Sequence, residues 1–456
     1  MRKPFVVALC LPLMFLSCPD PSGGPEEVRI AVPRDFMGMV HAGSRSVDEP
    51  SDKDAEYASL NELGVQWMLT DFSWSTIQPS KDTWNWTRFD AYVENGKSNG
   101  KKILALLDYD VNWLHDGTHS DDPYNNMDGN SENNTPAPYI SPAEIPLFCE
   151  YVKKTVGRYQ DRVDAWCVWN EPNLSDRFWA GTKEEFFELT KQAAAAIREV
   201  DPDAFIIGGA FNTLAGDEWV RGIFESGAME RIDAVAYHPY MPDAGSSAYV
   251  YERFKKTVAP YGFDGKVWVT EAGYPTRGSY GTEVSDKEMP ETLVKTISLL
   301  AAGGANRVFW YHFLDPKPEN QDEDDSEDWF GLLNYDFSRK NGADAAYTLC
   351  GAHIPGKTYR SSLPGRSGIP DYITARYFEG DEGNTLIIWN ERPSKTVQLK
   401  VRLPGRAQKS CDVATGESSP ADEETLIRFA PDNGKGLYFF TWESAGLTSP
   451  PWISAP

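Results

Sequence analysis

Eight short apolar runs alternate with helical patterns through the first 350 residues, and this alternation limits the chain to very few folds. The runs are Met37–Val40, Val65–Asp71, Lys102–Asp108, the stretch from Asp164 leading into Glu171, Phe205–Ala210, Ile232–Tyr237, the stretch from Lys266 leading into Glu271, and Asn306–Tyr311. Each is short and rich in β-branched and aromatic residues, as a strand covered on both faces must be. Between them lie helix signals. Gly64 stops a helix over Ser51–Leu63, and a helix from Thr87 ends at Gly100. Ser141-Pro142-Ala143-Glu144 and Thr182-Lys183-Glu184-Glu185 read as capping boxes, the first with Pro at the opening helical position. Ser285-Asp286-Lys287-Glu288 caps a helix running to Ala302. Eight βα units over about 310 residues fit an α/β fold of the (β/α)8 TIM-barrel type, with the barrel domain over residues 30–350. An open doubly wound sheet would place a glycine-rich nucleotide turn after the first strand, and His41-Ala42-Gly43-Ser44 lacks that pattern.

The pattern changes after a linker over 351–371. Tyr372–Phe378, Thr385–Trp389, Val397–Leu403, Leu426–Phe429 and Leu437–Trp442 are closely spaced β-type runs separated by turn residues. They predict a small all-β, sandwich-like domain over 372–445, followed by a tail over 446–456. At the other end, Arg2 and Lys3 precede an apolar stretch, Phe5–Leu16, too short to span a bilayer. Residues 1–17 therefore read as a signal peptide. Phe15-Leu16-Ser17-Cys18 resembles a bacterial lipobox, which makes Cys18 the expected lipidation site and 18–29 a tether. The plainer alternative is a secretory signal followed by a chance Cys. Either way the chain is expected to be exported, as a membrane-anchored lipoprotein of the periplasm or cell surface or as a secreted protein. Membrane contact is through a lipid anchor only, because no second apolar run is long enough to cross a bilayer. The formal charge is −24, which argues against nucleic acid or an anionic surface as partner. Cys149, Cys167, Cys350 and Cys411 permit two disulfides, but Cys167 lies inside a barrel strand, where a free thiol packs as a small hydrophobe. Free thiols are the preferred reading. Oligomeric state leaves no mark in the sequence.

The chemistry concentrates at two strand ends. Asp164-Ala165-Trp166-Cys167-Val168-Trp169-Asn170-Glu171-Pro172 closes the fourth strand, and Lys266-Val267-Trp268-Val269-Thr270-Glu271-Ala272-Gly273 the seventh. Residues at this edge of a barrel face the cavity where such folds place their chemistry. Hydrolysis of a glycosidic bond needs two carboxyl groups, one to protonate the leaving oxygen and one to attack the anomeric carbon. Pro172 bars a following helix and holds Glu171 at the strand end. Asn170 can hydrogen-bond a sugar hydroxyl. His238 and Tyr240, with Tyr237 beside them, end the sixth strand and are the natural donors to an ionised Glu271. Trp310, ending strand eight, is expected to floor the sugar subsite, with Trp74 and Trp113 as further stacking surfaces. Taken singly, Trp310 reads equally well as core. Tyr109–Tyr139 is a long polar loop expected to wall the cleft. Asp315–Asp328 holds eight acids in fourteen residues and reads first as a solvated rim, with calcium or a cationic amino-sugar as the sharper option.

The residues together resemble a glycoside hydrolase of the large (β/α)8 clan, and most of all family 39 and its endo-acting bacterial relatives. The shared stretches are Trp169-Asn170-Glu171-Pro172, Thr270-Glu271-Ala272-Gly273, Ala236-Tyr237-His238-Pro239-Tyr240, and Asp71-Phe72-Ser73-Trp74 through Ile77-Gln78-Pro79 to Trp86. The resemblance covers the barrel. It implies cleavage of an oligo- or polysaccharide with retention of configuration, Glu171 as acid/base and Glu271 as nucleophile, with no metal or organic cofactor. One position departs: many clan members carry Arg two residues before the strand-two Asp, where it keeps the nucleophile ionised, and here that residue is Leu69. A glycan-binding surface lipoprotein without turnover, or a transglycosylase, is the alternative on the same scaffold. Sugar, linkage and endo or exo action are not legible.

Overall fold

The computed structural model describes residues 27–115 and 137–455, apart from 176, 215, 264–265, 364–367, 432–435 and 444–449. The signal peptide, Cys18, most of the tether and the centre of the loop after strand three lie outside the described residues.

Eight parallel strands close into a barrel: Met37–Val40, Trp67–Asp71, Lys102–Leu107, Ala165–Val168, Ile206–Asn212, Ala234–His238, Lys266–Ala272 and Arg307–Trp310. The last pairs with the first through Met37↔Val308, Gly38↔Phe309 and Met39↔Trp310. Trp67, Trp268 and Phe309 fill the interior, with Trp67 edge-on to Trp268 at 5.2 Å. Small residues opposite them (Ala165, Cys167, Ala234, Ala236) make the room. Gly38 is required for the same reason, since a Cβ there would strike the Phe309 ring. One major helix follows each strand, from Lys53–Glu62 after the first to Ala343–His353 after the eighth. The capping box at Thr182 forms as expected: Glu185 N–H donates to Thr182 Oγ1 at 3.2 Å, and Thr182 N–H to Glu185 Oε2 at 2.8 Å. At Ser141 the expectation shifts. Ser141 N–H reaches Glu144 Oε2 at 2.9 Å, but the helix begins at Ile145, so the motif closes the turn ahead of it. Among the described residues no helix is long and apolar enough to cross a membrane.

The C-terminal domain is two antiparallel sheets of seven and three strands with Leu386, Ile388, Leu399, Val401 and Phe440 between them. The larger sheet's other face (Phe378, Ile387, Trp389, Phe439) joins the barrel's own helical core. Three boundaries differ from those expected. Arg29–Ala31, expected as tether and barrel start, is an edge strand of the large sheet, paired to Thr358–Arg360. The presumed linker 351–371 contains that Thr358–Arg360 strand and the end of the eighth helix. Trp452–Ser454 in the presumed tail pairs with Val397–Arg402. Strands of three residues carry too little alternation to be seen in sequence. Arg360 nonetheless fixes the first pairing, through ion pairs to Glu27 and Glu379.

Candidate active site

Backbone irregularities aim the two glutamates at one point. Strand four does not simply stop: Trp169 and Glu171 take φ of 65° and 41°, a region costing a non-glycine residue about 1–3 kcal/mol. The turn sends the Trp169 indole outward, where its Nε1 donates to Phe178 O at 2.8 Å. Glu171, anchored by its N–H on Ala210 O at 3.0 Å, is left facing the barrel mouth. Strand seven carries its irregularity between Val269 and Ala272, bracketing Glu271, and a bulge of this kind re-aims a side chain. Gly273 follows because a Cβ there would collide with the Tyr311 carbonyl.

His238, at the end of strand six, sits between the carboxylates. Its Nδ1 lies 2.7 Å from Glu171 Oε1 and 3.6 Å from Glu271 Oε2, while Nε2 meets Thr270 Oγ1 at 2.8 Å. Tyr240 O–H donates to Glu271 Oε2 at 2.8 Å. Asn212 Nδ2 donates to Glu171 Oε1 at 2.8 Å. Asn170 Nδ2 donates to Tyr109 O–H at 3.1 Å, leaving its buried Oδ1 without a partner. One oxygen from each glutamate and one His238 nitrogen all fall within 4.8 Å of one another.

Burial pushes the Glu271 carboxyl up to about 7, reinforced by the Glu171 charge and opposed by His238 and by the Tyr240 hydrogen bond. For His238, burial alone would favour the neutral ring, but the two carboxylates outweigh it and raise the imidazole above its usual range. At the floor, Asp108 lies just past strand three, fully buried beside Asp71, and burial reinforced by that neighbouring acid holds it far above the usual carboxylate range.

Glu171, Glu271, Asn170, His238 and Tyr240 thus converge, and the three tryptophans do not join them. Trp310 is 1 % exposed on the helical side of strand eight, tilted against Tyr274. Trp74 is fully buried, stacked on Tyr151 with Nε1 on Gln78 Oε1. Trp113 packs edge-on to Trp74 and donates to Gln78 O. Tyr237 stacks outward on Phe254 at 4.3 Å. The mouth holds Tyr311 in place of Trp310, with ring contacts to Tyr240 and His41. The reason is strand parity: neighbouring residues face opposite sides. Sequence reasoning also missed Asn212 and Asp108. Asn212 ends strand five as Glu171 ends strand four, which was a usable signal. In the acidic segment, Asp315 is tied to Lys340 at 2.6 Å and to Gly331 N–H at 2.7 Å, and Asp325 caps the N–H of Glu327. Several of these acids are internal braces, and no metal-type cluster is found there among the described residues.

An eight-stranded barrel with a carboxyl pair at the ends of strands four and seven defines the class: a (β/α)8 barrel with a paired-carboxyl site at its mouth. The sequence profile of "Glycosyl hydrolases family 39" matches residues 61–261. The chain is accordingly a family 39-like (β/α)8-barrel protein, homologous to bacterial members of that family. A beta-xylosidase of Caldicellulosiruptor saccharolyticus is 40% identical over 106 residues, 22% of this chain and 21% of that protein. A beta-xylosidase of Geobacillus stearothermophilus is 33% identical over 103 residues, 22% and 20% of the two chains. These alignments span about a fifth of the relatives' length. Among solved structures, a family 39 glycoside hydrolase from the gut symbiont Bacteroides cellulosilyticus WH2 superposes with a TM-score of 0.70 at 19% identity, over 90% of this chain and 81% of that one. A family 39 beta-xylosidase from Caulobacter crescentus gives 0.60 at 17%, over 91% and 97%. Both share the fold.

Proposed function

We propose that the protein is a retaining glycoside hydrolase acting on an oligo- or polysaccharide, with Glu171 as acid/base and Glu271 as nucleophile. The observation that carries this is that one oxygen of each carboxyl lies within 4.8 Å of the other, together with a His238 nitrogen. Retaining pairs stand about 5–5.5 Å apart, whereas inverting pairs stand about 6.5–9.5 Å apart to admit a water. Glu271 attacks the anomeric carbon and forms a glycosyl ester. The electron pair of the broken bond leaves on the aglycone oxygen, which takes the Glu171 proton. Glu171, now a carboxylate, removes a proton from water, whose oxygen displaces Glu271 from the sugar. With the proton on Glu171, the like charge that raises Glu271 disappears, so the productive form favours an ionised nucleophile held by Tyr240 and His238. The free Oδ1 of Asn170 is an acceptor placed for a sugar hydroxyl. Trp74, Trp113 and Trp310 support the wall from behind. None of these steps calls for a metal or organic cofactor.

The names of the two curated relatives make β-xylosides the first substrates to try. A panel of 4-nitrophenyl glycosides, followed by trapping with the matching activated 2-fluoro sugar, tests the proposal. An adduct on Glu271 supports it, and hydrolysis with inversion of configuration overturns it. We also propose export with lipidation at Cys18, on the strength of Phe15-Leu16-Ser17-Cys18. Labelled palmitate should enter the intact chain and not Cys18→Ser.

A further inference from the structure

A cavity of about 330 Å³ lies where the barrel meets the C-terminal domain, and Arg34, His353, Lys357, Lys409 and Thr441 are among its walls. That volume is in the range of small-molecule sites. It is remote from the paired carboxyls. Arg34 precedes the first barrel strand and His353 ends the eighth helix, so both stand at the N-terminal edge of the barrel, opposite the mouth. The large sheet supplies the other wall. Thr385, Thr441 and Lys409 are direct partners across three adjacent strands, and such partners share a face. Two residues along each strand, Ile387, Phe439 and Cys411 belong to the barrel's own core. The face that carries Lys409 is therefore the one turned to the barrel.

Lys357 is half-buried in this cavity. Its stem lies against the turn at Gly380, where a Cβ would come within 2.9 Å of the lysine Cγ. Its Nζ donates to Thr385 Oγ1 at 2.7 Å, and Thr385 Oγ1 donates in turn to His353 O at 2.8 Å. The threonine thus satisfies the carbonyl at the helix end, and the lysine is not needed for it. An ammonium has three N–H donors, so two remain. Among the described residues no carboxylate pairs with Lys357, Lys409 or Arg34. Asp381, Glu382 and Glu443 also line the cavity, but they are exposed and form no ion pair with these cations. Burial holds the Lys357 ammonium down to about 8, and burial, then Lys357 and Lys409, hold His353 down to about 4. A cation drawn out of water is costly unless a counter-charge meets it. We propose that this cavity binds a small molecule bearing a carboxylate or sulfate group, with the anion on Lys357 and Lys409. This site is separate from the glycosidase reading above and does not depend on it.

The test is calorimetric titration of the full chain with sodium D-glucuronate and with sodium sulfate, with D-glucose as the uncharged control. Lys357→Gln and Lys409→Gln are titrated in parallel. Lys409 is exposed, so its variant guards against a folding failure in the other. Saturable binding of either anion, and none of glucose, is expected. Saturation by glucuronate alone marks a sugar acid as the source, and saturation by sulfate an oxyanion. Each substitution should weaken binding by roughly tenfold or more, the loss of one hydrogen bond to a charged group. Turnover of 4-nitrophenyl glycosides, at the other end of the barrel, should stay that of the unaltered chain. A lysine that only braces the fold would lower the melting temperature of Lys357→Gln and leave binding as it was. An anion held at the mouth would likewise be indifferent to both substitutions. Binding unchanged in the folded variants, or no saturable binding of either anion, would overturn the proposal.

Discussion

Replacing Tyr240 by Phe removes one hydroxyl that donates at 2.8 Å to Glu271 Oε2 and leaves the ring in its contacts with Tyr311 and Phe330. A hydrogen bond to a charged group contributes roughly 1.5–3 kcal/mol, equivalent to about 10–150-fold. That stabilisation acts on the carboxylate and not on the acid, so its loss raises the Glu271 pKa further, by roughly one to two units above its present value of about 7. The nucleophile works only when ionised, so the acid limb of kcat/KM moves toward higher pH. With an activated aryl glycoside, whose leaving group needs little help from Glu171, the deficit should be roughly 10–150-fold near pH 6 and should narrow toward about pH 9. The assay is kcat/KM for a 4-nitrophenyl glycoside across that range, with the unaltered chain alongside. A loss equal at every pH, with the acid limb unmoved, would refute the argument and leave Tyr240 as a sugar-binding or packing residue.

Glu271→Ala should lose at least about three orders of magnitude in turnover while melting close to the unaltered chain, checked by steady-state kinetics beside thermal denaturation. Asp108→Asn should flatten the pH dependence of stability. Burial raises the folded pKa of Asp108, so the folded state holds a proton that the unfolded chain releases above about pH 4, and stability drains as pH rises from there. The amide has no such proton, so urea midpoints near pH 4.5 and pH 8 should lie closer together in the variant; an equal or wider gap would contradict this. Thr182→Ala should cost about 1 kcal/mol by leaving the Glu185 N–H uncapped, read as a lower urea midpoint that Thr182→Ser restores.

The barrel was legible because its strands are covered on both faces, so each shows as a dense apolar run bounded by helix signals. The same property hid the inside from the outside. A strand with no polar face gives no cue to which of two neighbours points inward, so Trp310 reads as a residue of the mouth although Tyr311 occupies it. Glu171 and Glu271 were legible because a charge ending a buried run is conspicuous. Asn212 ends its strand equally well but is neutral and drew no notice. Arg177 and Glu327 lie 150 positions apart in loops, and their meeting depends on a chain path that periodicity does not encode.

Leu69 shows how local chemistry adjusts within a fixed fold. It faces the barrel interior among Trp67, Leu104 and Leu106, two residues below Asp71. An Arg there, as in the clan members this chain resembles, would set a permanent cation beneath the acids of the mouth. Without it, the Asp71 charge acts on both Asp108 and Glu271, Glu171 and Glu271 share His238, and the Arg177 guanidinium is already engaged by Glu327. Burial then dominates: Asp108 stays protonated and Glu271 rises to about 7, restrained only by His238 and Tyr240. A permanent guanidinium would hold Glu271 low at any pH, whereas an imidazolium and a phenol do so only partly, and the imidazolium is itself lost as pH rises. The exchange of Arg for Leu should therefore give this chain an acid limb above the ordinary carboxylate range. An acid limb near the ordinary carboxylate range, at about pH 4–5, would mean that a cation other than His238 reaches the nucleophile when substrate is bound.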